Sequence, residues 1–278
     1  MPEKGKNPSP SLLAGEGWGE GSASHPGAVV RGLTALFALI LSTSVATGAQ
    51  APPSSTETPV TYTVEPPSTP PDLRKRFSRD QLRLLEKLNR ADLEHLPRLK
   101  ALVIPERWDL DELSYSPLPK QHAWAERYPK AFVVHQPSQV FGAYEAGRLV
   151  HWGPVSSGRQ EMPTPSGLFY TNWRSPGRHS TVNPEWFMRW YFNIENRRGI
   201  SLHAYELPGY PASHACVRFL DRDAKWLYDW GEEWQLDASG RTVLRNGTPV
   251  LIAGEYNFAA PPPWRSPEWL ARCVELPP

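Results

Sequence analysis

Hydrophobic positions along the chain follow two regimes. Between residues 78 and 104 they recur at helical spacing, as Leu82, Leu85, Leu88, Leu93 and Leu96, with Ser78 or Asp80 as N-cap. Pro97 ends that pattern, and a short apolar segment, 99–104, precedes Pro105, so this stretch predicts one helix or two short ones. From Ala131 the period falls to two. Residues 131–135, 140–144, 148–156, 167–172, 187–192, 200–204 and 250–252 are short runs of β-formers, separated by turn signals at Ala146-Gly147 and at 163–167. One helix interrupts them at 221–230, with Asp221 as its expected N-cap and Ala224, Leu227 and Tyr228 on one face. Another is expected at 266–273, where Ser266 caps and Pro267 takes the first position. The expected architecture is mostly β, a sandwich or barrel with a late helix and a small N-terminal helical segment.

The ends of the chain differ from this middle. Residues 1–30 have no periodicity. Arg31, the apolar run 33–41 and the small residues 42–51, with Ala49-Gln50-Ala51, read as a secretory signal peptide; an uncleaved N-terminal anchor is the alternative. Glu16 and Glu20 suit a leader poorly, so a start near Val29 or Val30 is expected. The expected partition is a leader over 1–51, a Pro-rich linker over 52–77, a helical segment over 78–128, a catalytic domain over 129–254 and a Pro-rich tail over 255–278. An exported protein of the periplasm or cell envelope follows, and a monomer is expected.

Composition narrows the function. Of 278 residues, 31 are Pro, 12 Trp and only 2 Cys, and 30 Lys+Arg face 29 Asp+Glu. The charge balance excludes the basic footprint of a nucleic-acid binder. Two Cys exclude a disulfide scaffold and a four-thiolate zinc site.

The chemistry concentrates between residues 201 and 219, SLHAYELPGYPASHACVRF. A thiol attacks as the thiolate, so Cys216 needs a base or a positive field. His214 lies two residues away, and His203 is brought within reach by a reversal through Pro208, Gly209 and Pro211. Ala215 and Cys216 offer successive backbone N–H groups for an oxyanion, and Arg218 offers a two-pronged grip on a carboxylate. Spacing alone also allows a buried, inert Cys216.

This stretch resembles the signature of the L,D-transpeptidase catalytic domain, a strand ending in His followed by Ser-His-Gly-Cys, here Leu202-His203 and Ser213-His214-Ala215-Cys216-Val217-Arg218. Thr164-Pro165-Ser166-Gly167, Phe187-Met188-Arg189, Asp223-Ala224 with Leu227-Tyr228, and Gly247-Thr248-Pro249-Val250 extend the resemblance over about 130–253. It implies Cys216 as nucleophile, His203 as general base, His214 as support, the amides of Ala215 and Cys216 as oxyanion hole, and Arg218 with Ser213 on the substrate side. The implied donor is a peptidoglycan stem tetrapeptide and the implied acceptor an amine of a second stem or of a lipoprotein, or water; no metal or cofactor is implied. Ala215 departs from the family's Gly, which demands strain if the backbone there is left-handed, and the loop from His203 to Cys216 is shorter than is common. Residues 84–105 also faintly resemble the second half of a LysM-type peptidoglycan-binding module, the plainer reading being a helical hairpin.

The alternatives are a carboxypeptidase or amidase of the same fold, a zinc hydrolase with His203, His214 and Cys216 as ligands and Glu206 as base, and a catalytically silent peptidoglycan-binding domain. A Cys216–Cys273 disulfide would disable the thiol. His95, His122, His135, His151 and His179 are read as structural, with His151 a possible cleft residue, and Trp152, Trp173, Trp186 and Trp190 as core and rim rather than a glycan-stacking surface.

Overall fold

A computed structural model describes residues 60–278, so the expected leader and the first part of the expected linker lie outside the described residues. The described chain begins with a strand–helix–helix–strand unit: β1 (Tyr62–Glu65), α1 (Pro70–Arg76), α2 (Arg79–Asn89) and β2 (Leu102–Pro105), with β1 and β2 antiparallel. This corrects the expectation of an extended linker to residue 77. Pro66 and Pro67 fall between β1 and α1, and Pro70 and Pro71 occupy the first turn of α1, where a missing N–H costs nothing. Thr69 caps α1, and Ser78 forms a reciprocal capping box with Gln81 on α2. The LysM-like segment thereby has a strand and a helix ahead of it.

The short helix α3 (Ala123–Glu126) leads into the main sheet. Its strands are β3 (Lys130–His135), β4 (Val140–Glu145), β5 (Arg148–Ser156), β6 (Gly167–Tyr170), β7 (Arg174–His179), β8 (Phe187–Glu195), β9 (Ile200–Ala204) and β10 (Val217–Phe219). Then come α4 (Asp221–Trp230), the small hairpin β11 (Gln235–Leu236) and β12 (Val243–Arg245), β13 (Pro249–Ala253) and α5 (Pro267–Leu270). Nine strands form one sheet in the order β6-β13-β3-β4-β5-β10-β9-β8-β7. Only the β13/β3 and β10/β9 pairs are parallel. The fold is mostly β, as the alternation predicts. β7 and β10 are additional to the expected strands. Expected N-cap Asp221 is instead the first residue of α4; Leu220 occupies the cap with no side-chain bond.

Period two sorts each strand between two cores. Phe132, Val134, Phe141, Ala143, Phe192, Leu202, Val217, Phe219, Val250 and Ile252 form one core with Ala224 and Leu227 of α4, so the two halves of the sheet close on each other. The alternate residues Ala131, Val133, Val140, Tyr144 and Trp152 face outward, where Leu84 and Leu88 of α2, Val103 of β2, Trp264 and Leu270 cover them. β3 and β4 are therefore buried on both faces, which is why they read as continuous apolar runs.

Two cations are buried in the outer layer. Lys87 is 2% exposed; it pairs with Glu112 and donates to Trp152 O at 2.6 Å. Arg90, the left-handed C-cap of α2, is fully buried. Its guanidinium donates to Ser138 O at 3.0 Å and to Lys87 O and Leu88 O, and lies 5.5 Å from the Trp264 ring centroid. Burial without a carboxylate partner pulls its pKa down to about 9. The Pro-rich tail is thus a lid on the core. Ser266 caps α5, accepting from Trp269 N–H at 3.3 Å. Trp264→Ala is expected to cost about 3–5 kcal/mol, the range for deleting a buried aromatic, read as the urea unfolding midpoint; a loss under about 1 kcal/mol would show that the tail is dispensable.

Candidate functional site

The alternation that fills the core also builds the site. On β9, Ile200, Leu202 and Ala204 point into the core, as do Val217 and Phe219 of β10. Ser201, His203 and Arg218 consequently share the opposite face, with Cys216 one step before β10. The parallel register pairs Arg218 with His203 and Val217 with Leu202, so Cys216 falls beside Ser201. His203, Ser213, His214, Cys216 and Arg218 line one cavity of about 320 Å³, together with Trp173, Arg178, Trp186, Met188 and Tyr191 from the β7–β8 side.

The loop before Cys216 is clamped through its carbonyls. Ser213 Oγ donates to Cys216 O. Thr164 Oγ1 accepts from Gly158 N–H at 2.8 Å and donates to Ala215 O at 2.9 Å. Gly158 admits no side chain, because a Cβ would lie 2.2 Å from Met162 O. Both carbonyls are turned inward, and the amide N–H groups of Ala215 and Cys216 find no acceptor among the described residues. Free adjacent donors beside a thiol are what an oxyanion hole requires. Ala215 has φ 74°, so the strain foreseen for an Ala in place of Gly is present. That conformation costs an L-residue about 1–2 kcal/mol.

His203 is 4% exposed and its Nδ1–H donates to Ala204 O at 3.0 Å, which leaves Nε2 as the unprotonated nitrogen. Burial, aided by the Arg218 charge, holds its pKa down at about 4. The Cys216 thiol is pushed up by burial, while hydrogen bonds from Ser201 and the Arg218 charge pull it back. At neutral pH the resting pair is a neutral thiol and a neutral imidazole. No hydrogen bond joins them among the described residues. The thiol instead lies 3.3 Å from Ser201 Oγ and 3.7 Å from Gly199 O. Ser201 carries no motif signal; only the strand register reveals it.

The other expected site residues divide. Arg218 opens into the cavity with its guanidinium 4.6 Å from the Tyr205 centroid, and no carboxylate pairs with it among the described residues. Ser213 lines the cavity, but its hydroxyl is committed to Cys216 O, which makes it a brace for the thiol loop rather than a free substrate contact. His214 packs against Trp186, centroids 4.8 Å apart and rings tilted by 47°, with Nδ1 buried and unpartnered, and makes no hydrogen bond to Cys216. Cys216 and Cys273 are both free thiols. His151 is held by buried Asp223 at 3.1 Å, outside the cavity lining. Trp152 is core; Trp173 and Trp186 are cleft. Among the described residues no group of three His, Cys, Asp or Glu is placed to hold a metal ion, and His203, His214 and Cys216 are no exception.

This site sits in a segment with a family match: residues 129–252 match the family model of YkuD, the L,D-transpeptidase catalytic domain. The matched segment runs from β3 into β13 and includes every cavity residue named above. Similar solved structures include an L,D-transpeptidase from Xylanimonas cellulosilytica, 28% identical over 51% of this chain and 66% of that one, with a TM-score of 0.38. Others are an L,D-transpeptidase from Stackebrandtia nassauensis (22% identity, 47% and 58% coverage, TM-score 0.38) and one from Mycobacterium smegmatis (18%, 45% and 59%, 0.36). The chain covers less than two thirds of each of these proteins. No curated protein matches the sequence.

Two variants test this geometry. Ala215→Gly is expected to raise stability by about 0.5–1 kcal/mol through relief of the left-handed Ala, whereas Gly at the β-strand position Ala204 lowers it; equal losses at both would show Ala215 to be unstrained. Ser201→Ala is expected to move the pH midpoint of Cys216 alkylation by iodoacetamide upward and to slow alkylation at pH 7 roughly tenfold, the worth of one hydrogen bond to a charged group. An unmoved midpoint would remove Ser201 from the thiol's environment.

Proposed function

We propose that this protein is a cysteine-dependent L,D-transpeptidase acting on peptidoglycan stem peptides. The observation that carries the reading is the pairing of a buried, neutral His203, oriented by Ala204 O, with Cys216 at a turn whose amide N–H groups are unsatisfied, in one cavity inside the family-matched domain. The site offers a nucleophile, a base and an oxyanion cradle together.

In this reading Cys216 Sγ attacks the carbonyl of the third residue of a stem tetrapeptide while its proton passes to His203 Nε2. The negative oxygen of the tetrahedral intermediate is held by the N–H groups of Ala215 and Cys216. Its collapse breaks the C–N bond, and His203 returns the proton to the departing D-Ala amine. A thioester on Cys216 remains. An amine of a second stem, which loses its proton to His203, takes the acyl group and releases the thiolate, which regains that proton. An imidazole that rests unprotonated is free to take the thiol proton, and a thiol raised by burial stays inert until substrate arrives. Arg218 binds a substrate carboxylate through its N–H fork. The reading carries an exported location with it, since the substrate lies outside the cytoplasmic membrane.

Incubation with a carbapenem is expected to add one drug mass to the protein, with the adduct lost in Cys216→Ala and indifferent to a chelator. Absence of an adduct on reduced, folded protein sinks the reading. With stem tetrapeptide, released D-Ala with a cross-linked peptide identifies an amine acceptor, and released D-Ala with tripeptide alone identifies water.

A further inference from the structure

The β7–β8 side of the cavity holds a feature that the proposed reaction does not use. The guanidinium of Arg178 lies over two rings at once, 5.2 Å from the Trp173 centroid and 5.0 Å from that of Tyr191. The rings brace each other with centroids 5.1 Å apart, and Trp173 Nε1 donates to Asn196 Oδ1 at 2.9 Å. Stacking occupies the flat face of a guanidinium and leaves its N–H edge free. That edge has no acceptor among the described residues.

Arg174, on the same strand, shows what a structural arginine looks like here. It too stacks on rings, those of Tyr228 and Phe192. Its N–H groups, however, reach Tyr228 O and Gly231 O, and Glu233 lies 3.4 Å away. Arg178 shares the contact with two rings but forms no hydrogen bond or ion pair among the described residues. Its surroundings are strongly positive. Four arginines, Arg178, Arg197, Arg198 and Arg218, line the cavity and no Asp or Glu does; outside the lining, Glu195 pairs with Arg198 at 3.5 Å and the Glu206 charge acts on Arg218. Like charges crowded in a cleft of about 320 Å³ are unfavourable unless an anion enters, and one carboxylate at Arg218 leaves Arg178 unmatched.

We propose that Arg178, held over Trp173 and Tyr191, is a second carboxylate subsite, so that the donor peptide is gripped through two separate carboxylates, one at Arg218 and one at Arg178. The proposal rests on the transpeptidase reading above and adds a chemical selection to it: a donor whose internal carboxylates are free is preferred over one in which the matching carboxylate is a carboxamide. The carboxamide keeps the shape but offers a neutral acceptor and brings an N–H group toward the guanidinium. Hydrogen bonds to charged groups set the expected discrimination at about tenfold or more.

The test is equilibrium binding to the full chain carrying Cys216→Ala, which prevents turnover. The probes are the stem tetrapeptide and analogues in which each internal carboxylate in turn is a carboxamide. One analogue is expected to bind at least about tenfold more weakly than the acid, and that penalty to shrink below about threefold when Arg178→Gln is added. Arg178→Lys, which keeps a cation over the rings but loses the fork, gives an intermediate penalty and replaces Arg178→Gln should that variant not fold. Equal binding of acid and carboxamide, a penalty that survives replacement of Arg178, or no peptide binding at all overturns the subsite. Carbapenem acylation of Cys216 separates the two claims. An adduct without carboxylate selection sinks the subsite alone, and a missing adduct sinks the nucleophile whatever the peptides do.

Discussion

The parallel pairing of β9 with β10 is the constraint on which the site depends. Because Val217 lies against Leu202 and Arg218 against His203, the core residues of both strands share one face and the chemistry shares the other. A slip of one residue would turn Cys216 and His203 inward and expose Val217 and Leu202. The register is therefore held by the hydrophobic core itself: Phe219, Phe141 and Phe132 stack together directly behind the strands. Burial energy and catalytic geometry are enforced by the same contacts.

The rest of the molecule supports that pair from behind. The outer face of β3, β4 and β5 is covered by α2, β2 and the C-terminal segment, and this layer contains the uncompensated cation Arg90. Three carbonyls receive its Nε and Nη1 donors and an indole lies beside it, while Nη2 is buried without a partner. The layer also reaches the site. Asp92 exchanges hydrogen bonds with Leu207, accepting from its N–H through a carboxylate oxygen at 2.9 Å and donating its own N–H to its carbonyl. Leu207 belongs to the loop that joins His203 to Cys216, so the N-terminal unit sets where that loop lies.

How much was legible in the sequence follows from these constraints. Strands buried on a face announce themselves by alternation, and β5 and β9 end where the pattern says. β7 does not, because Arg174–His179 is a polar edge strand containing Pro176 and no core contact marks it. β10 is three residues long and is attached to a turn. β1 was hidden among prolines. In the site, Cys216, His203 and Arg218 were visible as reactive types at suggestive spacing, and the left-handed Ala215 followed from the missing Gly. Ser201 and Thr164 were not visible as site residues, since a Ser or Thr acquires meaning only from what the register or a clamped carbonyl places beside it. Arg178 is one arginine among many until two rings and an absence of partners single it out. His214 and Ser213 were assigned by motif; the hydrogen bond of Ser213 to Cys216 O places it in the frame of the loop, and His214 lies against Trp186.

The strand order has a consequence for how the molecule comes into being. β6 pairs with β13 alone, and β13 also closes against β3. Some eighty residues separate β6 from that partner, and all of the chemistry lies between them. During synthesis, the segment 167–170 emerges early and waits without its partner strand until residues 249–252 have followed. Such a long-range closure is slow and concerted. Cys216 is therefore made before the strand that completes the sheet. Cys273, the other free thiol, lies beyond β13, so it follows even the strand that closes the sheet.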